Sequence, residues 1–325
     1  MFLAFVISIM ASVVPAILYV LLFYWADRYE REPIWLLSVA FLWGAVPAIV
    51  VSVLGEILIG APFVSEATGF TALLVEGAIV APIVEELAKG LALLIIYLFI
   101  RKEFDGVLDG LVYGALIGFG FAMTENLFYF VGAYQNGGFE NLSFVIFLRA
   151  VIFGLNHAFY TGLTGIGFGI ARTTPGRYAQ VIWPIVGLSA AITVHALHNL
   201  GASTASVSVW GLIMSLSIAA AGGALIVLAV LLSWQQEKAT VRNELANEVG
   251  YTLTEQEYAA LLAHWHRPIR QKNESIRQRD KRRQQCVELA LCKKRLRRLG
   301  TEREPQLANY IGSLRGKLRE EMLAS

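Results

Sequence analysis

Five ionisable side chains lie inside long apolar runs of this chain: Glu85, Glu86, Glu125, His157 and His195. Glutamate and histidine are the side chains that take a proton from water and return it to a leaving group near neutral pH. A charge at the middle of a bilayer costs at least about 2.5–3.5 kcal/mol, so such groups face a wet cavity or a partner. Two adjacent carboxylates, a third one span later and histidines on two further spans therefore read as a hydrolytic site.

The spacing constrains how these groups can work together. In Glu85-Glu86-Leu87-Ala88-Lys89, Lys89 is i+4 from Glu85 and i+3 from Glu86, so it can neutralise either carboxylate. Adjacent helical side chains point about 100° apart, so the two glutamates do different jobs: one faces water as a base, the other holds a neighbouring helix or a histidine. Glu125 follows on the next apolar run, Arg149 precedes Asn156-His157 by about two turns, and His195 shares a helical face with Asn199. Peptide hydrolysis needs a base for water, an acid for the leaving amine and donors for the oxyanion. Glu85, Glu86, Glu125, His157, His195 and Asn199 are the candidate catalytic residues. His157, His195 and Glu125 could also hold a zinc ion with one position left for water. No His-Glu-x-x-His pattern is present, and a metal-free glutamate–histidine mechanism fits the same residues. Glu56 and Glu76 stand apart from these and read as structural or cavity-lining. Both cysteines, Cys286 and Cys292, fall outside the apolar region and read as free thiols, as their spacing does not suit zinc.

The elements that must position these groups are membrane helices. Of 325 residues, 56% are hydrophobic, and apolar stretches long enough to cross about 30 Å of hydrocarbon recur up to residue 233. The pattern predicts an all-α, polytopic transmembrane bundle of about seven spans, near 3–25, 34–60, 71–100, 106–132, 142–170, 180–200 and 209–233, followed by a soluble helical tail. The first stretch is too long for a signal-peptide core and reads as a retained span. The third is long and contains Pro82, which suits a kink or a short interfacial piece. Gly114, Gly118 and Gly120 on the fourth, and Gly162, Gly165, Gly167 and Gly169 on the fifth, suit close helix contact.

Charge separates two parts, 1–233 as the transmembrane domain that holds the candidate hydrolytic groups and 234–325 as a basic helical tail. Residues 234–325 carry 19 of the 27 basic residues and 12 of the 25 acidic ones, a local net of +7. In the tail, Thr254-Glu255-Gln256-Glu257 is a capping-box pattern. The run Ile276–Arg298 reads as a solvated helical face, with contact to anionic lipid next, and His264 and His266 as ordinary histidines. No nucleic-acid module accompanies the charge. Between the spans, loops with Arg28 and Arg31, with Arg101 and Lys102, and with Arg172 and Arg177 alternate with loops that lack Lys and Arg. The positive-inside rule then puts the N-terminus outside and the tail in the cytoplasm.

Together, Glu-Glu-x-x-Lys at 85–89, Leu108-Asp109-Gly110-Leu111-Val112-Tyr113-Gly114 leading to Gly120-Phe121-Ala122-Met123-Thr124-Glu125-Asn126, His157-Ala158 with Thr161-Gly162, and His195-x-x-x-Asn199 resemble the PrsW family of intramembrane proteases. That family is distantly similar to the CAAX- and bacteriocin-processing endopeptidases, which have His where this chain has Glu125. The resemblance covers about residues 70–200. It implies a plasma-membrane enzyme that cleaves membrane-anchored proteins, in some members an anti-sigma factor at the head of a signalling cascade. By residue it implies Glu85 and Glu86 as essential carboxylates and His157 and His195 as the histidine component. The resemblance says nothing about the tail; an anionic lipid surface or a protein partner is the expected contact. The competing classes are a proton-coupled transporter, against which the absence of a detectable internal repeat counts, and a non-catalytic membrane scaffold. One topology experiment checks the orientation: reporters fused after Asn136 or Ser203 should be extracytoplasmic, and those after Arg101 or Glu237 cytoplasmic. The same side for Asn136 and Arg101 would overturn it.

Overall fold

The computed structural model describes residues 1–26, 32–60, 69–100, 103–104, 106–263, 276–302 and 304–323. Arg28, Arg31, Arg101, Lys102, His264 and His266 lie outside the described residues. Among the described residues the chain is helical and forms no sheet. It divides into two compact units, one holding the N-terminal helix with Glu32–Ala229, the other holding Val230 onward.

In the first unit, α1 is Phe2–Ala26. α2 (Ile34–Trp43) continues through a π turn, Gly44–Ala48, into α3 (Ile49–Gly55) and a second π turn, Glu56–Gly60. α4 (Phe70–Val75), a π turn at Glu76–Val80 and α5 (Ala81–Phe99) follow as one run. Pro82 occupies the first turn of α5, where its missing N–H costs little. The π turn at Glu76–Val80 lies just before this proline. α6 (Val107–Ile146) leads through a π turn, Phe147–Ile152, to α7 (Asn156–Thr173), then α8 (Arg177–Thr204) and α9 (Val209–Leu245).

Among the described residues five stretches are long and apolar enough to cross a membrane, one of them the 67-residue Val107–Thr173. That stretch is broken at Gly137 and Gly138, the latter at φ 66°, a left-handed conformation that favours glycine. It is broken again where Phe153 (φ −103°, ψ 8°) leaves the helix. The expected fifth span, 142–170, is therefore discontinuous, with Asn156 and His157 opening a new helix. The Phe70–Phe99 run is not among them because it carries four ionisable residues, Glu76, Glu85, Glu86 and Lys89. Seven spans is thus an approximate count.

α6 is the central helix. From Leu108 to Ala122 it is buried on nearly all faces, as expected of a helix apolar all round. Asp109 caps its start by accepting from the Gly106 N–H at 2.6 Å. It packs on α7 so closely that a Cβ on Gly110 would sit 2.0 Å from the Gly165 carbonyl oxygen, and one on Gly118 2.3 Å from that of His157. The small residues bring the α6 and α7 backbones together where the candidate site residues lie. Large apolar side chains such as Leu18, Leu22, Val50, Leu54, Ile182, Ile185, Leu228 and Leu231 point outward instead, which suits hydrocarbon rather than water.

The second unit holds α10 (Glu255–Ala263), α11 (Ile276–Leu299) and α12 (Pro305–Leu323). Leu253, Cys286, Val287, Leu289, Ala290, Ile311, Leu314 and Leu318 form its core with Val241 and Leu245. The capping box forms: Glu257 N–H donates to Thr254 Oγ1 at 3.2 Å, and Thr254 N–H to Glu257 Oε2 at 2.7 Å. α11 differs from a fully solvated face. One side supplies core residues, and Arg282, Lys293 and Arg295 pair with Glu257, Glu248 and Glu304. Both cysteines are free thiols, and burial pushes the Cys286 thiol up to about 12.

Glu248 is the hub of this unit, taking Lys293 at 2.6 Å and Arg315 at 2.5 Å while 2% exposed. Burial alone would raise its carboxyl, but the Arg315 and Lys293 hydrogen bonds outweigh that and hold it below the ordinary 4.5. Its folded value is therefore below its unfolded one, so its stabilisation is complete above about pH 4.5 and is lost as pH falls through the lowered value. Hydrogen exchange of peptides from 240–320 should show protection falling on acidification below pH 4.5. Glu248→Gln should lower protection at pH 7 and flatten that dependence; an unchanged profile in the variant would overturn this assignment.

Candidate active site

α5 supplies Glu85, Glu86 and Lys89 from successive turns, so the three side chains meet on one flank of the helix. Lys89 Nζ lies 3.1 Å from Glu85 Oε2, 2.7 Å from Glu86 Oε1 and 3.3 Å from His157 Nδ1. It is fully buried, 3.9 Å over the Phe121 ring. Two adjacent carboxylates in an apolar bundle repel each other and lose hydration, and a single buried ammonium offsets both effects.

The two glutamates divide as their 100° offset requires. Glu86 is enclosed, 0% exposed, accepting from Thr161 Oγ1 at 3.0 Å and facing His195 Nδ1 at 3.1 Å. Glu85 lines a cavity of about 640 Å³, together with Glu125, His157, Tyr160, His195 and Asn199. Glu56 and Glu76, set apart by sequence, line the same cavity. Each opens a π turn, and Arg149 lies in a third, a local widening that recurs at functional sites.

The imidazoles are oriented by carboxylates. An ammonium only donates, so His157 Nδ1 is bare toward Lys89, and its proton sits on Nε2, 2.9 Å from Glu125 Oε2. Arg149 holds Glu125 in turn, Nη2 to Oε2 at 2.6 Å, while its Nε donates to Asn126 Oδ1 at 2.7 Å. His195 gives its Nδ1 proton to Glu86, which leaves Nε2 bare, 4.0 Å from Glu85 Oε2. The two rings stand 5.2 Å apart, nearly perpendicular.

The donors that can hold a cation are Glu85, Glu86, His157 and His195, each offering one atom, all within 4.8 Å of one another. Ligands of a tetrahedral ion with 2.0–2.1 Å bonds lie about 3.3 Å apart, so these atoms need to close in modestly. Mixed oxygen and imidazole donors suit zinc and similar ions, so the residues fit a metal. An entering cation meets Lys89 Nζ among the same atoms. Glu125, expected among the ligands, is placed differently: Arg149 draws it to the opposite side of the His157 ring, where it orients the imidazole. Asn199, expected near the chemistry, lines the cavity but donates its amide to the Gly77 carbonyl at 2.8 Å.

Sequence reasoning passed over two groups. His198 lines the cavity, 3.1 Å from Ser215 Oγ and 3.2 Å from Asn156 Nδ2. Tyr160 stacks on His195, centroids 4.6 Å apart and rings within 20°. Both signals were present as i+3 neighbours, His198 of His195 and Tyr160 of His157.

A family profile described as "PrsW family intramembrane metalloprotease" matches residues 32–238. Curated proteins named "Protease PrsW" are also similar to the chain. One from Geobacillus kaustophilus (strain HTA426) is 27% identical over 177 residues, covering 54% of this chain and 71% of the relative. One from Bacillus subtilis (strain 168) is 28% identical over 191 residues, covering 59% and 80%. One from Clostridioides difficile (strain 630) is 31% identical over 137 residues, covering 41% and 56%. No solved structure matches the chain.

Removing Lys89 strands two buried carboxylates. Lys89→Met should destabilise the membrane unit by about 3–5 kcal/mol, the cost of breaking a buried ion pair from one side. Unfolding of the purified protein in detergent reads this, and wild-type stability in the variant would show that Lys89 is not the neutralising group.

Proposed function

The chain belongs to the PrsW family of intramembrane metalloproteases, and from that premise we propose that Glu85 is the base that activates water at the wall of its cavity. The observation that carries this reading is that, of the adjacent carboxylates, Glu85 lines the cavity while Glu86 is enclosed by Lys89, Thr161 and His195. Water adds to the substrate carbonyl carbon as Glu85 takes its proton. The carbonyl oxygen becomes an oxyanion, and the tetrahedral adduct collapses as that proton passes to the leaving amine. Glu86 keeps His195 in one tautomer, Glu125 with Arg149 does the same for His157, and Asn199 ties α8 to the Gly77 turn.

His157, His195 and Glu86 would hold the metal, for which zinc is our assignment, leaving Glu85 as the base and a fourth position for water. Bound there, zinc would lower the pKa of water and polarise the carbonyl. This site set replaces one with Glu125 as a ligand, on the strength of Glu125's bonds to Arg149 and His157.

The substrate is a membrane-anchored protein, and the enzyme is an integral membrane protein. A cavity of about 640 Å³ with polar groups set among apolar walls suits an unwound stretch of peptide, whose backbone groups need partners away from water. We assign the enzyme to the plasma membrane, N-terminus outside and tail in the cytoplasm, acting in regulated proteolysis. We further take 1–233 as the protease domain and 234–325 as a regulatory appendage, supported by the tail's own core. Lys281, Arg298 and Lys317 are exposed on it and suit contact with anionic lipid headgroups or an acidic protein partner.

Glu85→Gln should lower cleavage of a membrane-anchored reporter by roughly 10²–10⁴-fold, the range for loss of general acid–base help. A chelator should abolish cleavage and zinc restore it, while His157→Ala and His195→Ala should lose bound metal on elemental analysis. Full cleavage by folded Glu85→Gln would overturn the assignment.

A further inference from the structure

Hydrolysis through a tetrahedral adduct needs a hydrogen-bond donor at the carbonyl oxygen, and most donors along this cavity already have acceptors. Asn199 gives its amide to Gly77. Arg149 is held by Glu125 and Asn126. Asn156 is engaged with His198. Among the described residues that line the cavity, two buried hydroxyls lack a hydrogen-bond partner, those of Ser52 and Tyr160. Ser52 lies on α3, one turn before Glu56. Tyr160 lies within the reactive cluster: it is 1% exposed, stacked on His195, 5.8 Å from the His157 ring, and next in sequence to Thr161, which holds Glu86.

A buried hydroxyl without a partner is unfavourable and rare in folded proteins, so each instance calls for a reason. The nearby polar group on the same helix is Asn156. An amide N–H can at most donate to the phenolic oxygen, so the tyrosine's proton still lacks an acceptor. The residue is also fixed in place: packing on His195, Phe159 and His198 leaves the ring little freedom. A rigid donor with nothing to bind in the resting enzyme is the arrangement expected of a group aimed at charge that appears only during reaction.

We propose that Tyr160 is a catalytic residue whose O–H donates a hydrogen bond to the substrate carbonyl oxygen as it becomes the oxyanion. The inference rests on the proteolytic reading of the site. In this step water's oxygen bonds to the carbonyl carbon, the carbonyl π pair moves to oxygen, and water's proton goes to Glu85. The Tyr160 proton stays on Tyr160 throughout. When the adduct collapses and the C–N bond breaks, the pair returns to the carbonyl, and the amine carries off the proton held by Glu85.

The test is Tyr160→Phe in the full-length, zinc-loaded protein, reconstituted in vesicles with a single-span membrane-anchored reporter that the unmodified enzyme cleaves. kcat should fall by roughly 10²–10³-fold, the loss typical of one oxyanion donor, with KM unchanged. Because the tyrosine's proton has no acceptor in the resting protein, Tm should stay the same or rise, and bound zinc should be unchanged. A native structural hydrogen bond would instead lower Tm, which together with lost activity would overturn the inference. So would wild-type kcat, or a change confined to KM. Glu85→Gln run alongside separates the two levels: if it is inactive while Tyr160→Phe is fully active, only the Tyr160 assignment fails. If Glu85→Gln is itself fully active, the proteolytic assignment fails and this one with it.

Discussion

A buried ammonium makes this site possible. Glu85 and Glu86 are adjacent, both inside an apolar bundle, and two unpaired carboxylates there would repel each other and pay the full loss of hydration. Lys89 reaches both and touches His157 as well. From it, polar contacts run outward in two directions, through His157 to Glu125 and Arg149, and through Glu86 to His195 and Thr161. The charges in this chain alternate in sign, so most members have a counter-charge or a hydrogen bond. A chain of this kind holds its members more strongly in a low-dielectric interior than it would in water.

Such a chain needs helices closer together than large side chains allow. α6 and α7 meet through Gly110, Gly114, Gly118 and Gly165, with carbonyl oxygens where Cβ atoms would otherwise be. At Gly118 the backbone that α6 touches is that of His157 itself, so the close packing sets the height of the imidazole. The breaks act in the complementary sense. Glycines 137 and 138, the π turn at Phe147–Ile152 and the bend at Phe153 let one long apolar stretch deliver Glu125, Arg149 and His157 to one cavity. A straight helix of that length could not.

Membership in the PrsW family gives this geometry its chemical sense. A carboxylate–imidazole pair oriented by an outer carboxylate, as Glu125 orients His157, raises the basicity of the ring and fixes which nitrogen is bare. His195 is treated the same way by Glu86. The cavity beside them holds further acidic groups, Glu56 and Glu76, at its walls. The second unit has a separate logic: Arg282, Lys293 and Arg295 pair with Glu257, Glu248 and Glu304 around a small apolar core.

Much of this could be read from the chain itself. Runs of about 20 apolar residues leave helices as the natural way to satisfy the backbone in lipid, so the all-α class follows from composition. Spacing along one helix is local, so Lys89's reach to both glutamates, the capping box at Thr254–Glu257 and the small-residue faces of α6 and α7 were also legible. What periodicity gives is a direction around one axis. It does not say what stands in that direction, because the partners lie 68 to 109 residues away, as Lys89 does from His157 and Glu86 from His195. Only the packed helices decide that Glu85 rather than Glu86 meets the cavity. They also decide that Arg149 draws Glu125 behind His157 instead of beside it. Whether a buried hydroxyl such as that of Tyr160 is left without an acceptor depends on every neighbour at once, and that is a property of the tertiary structure alone.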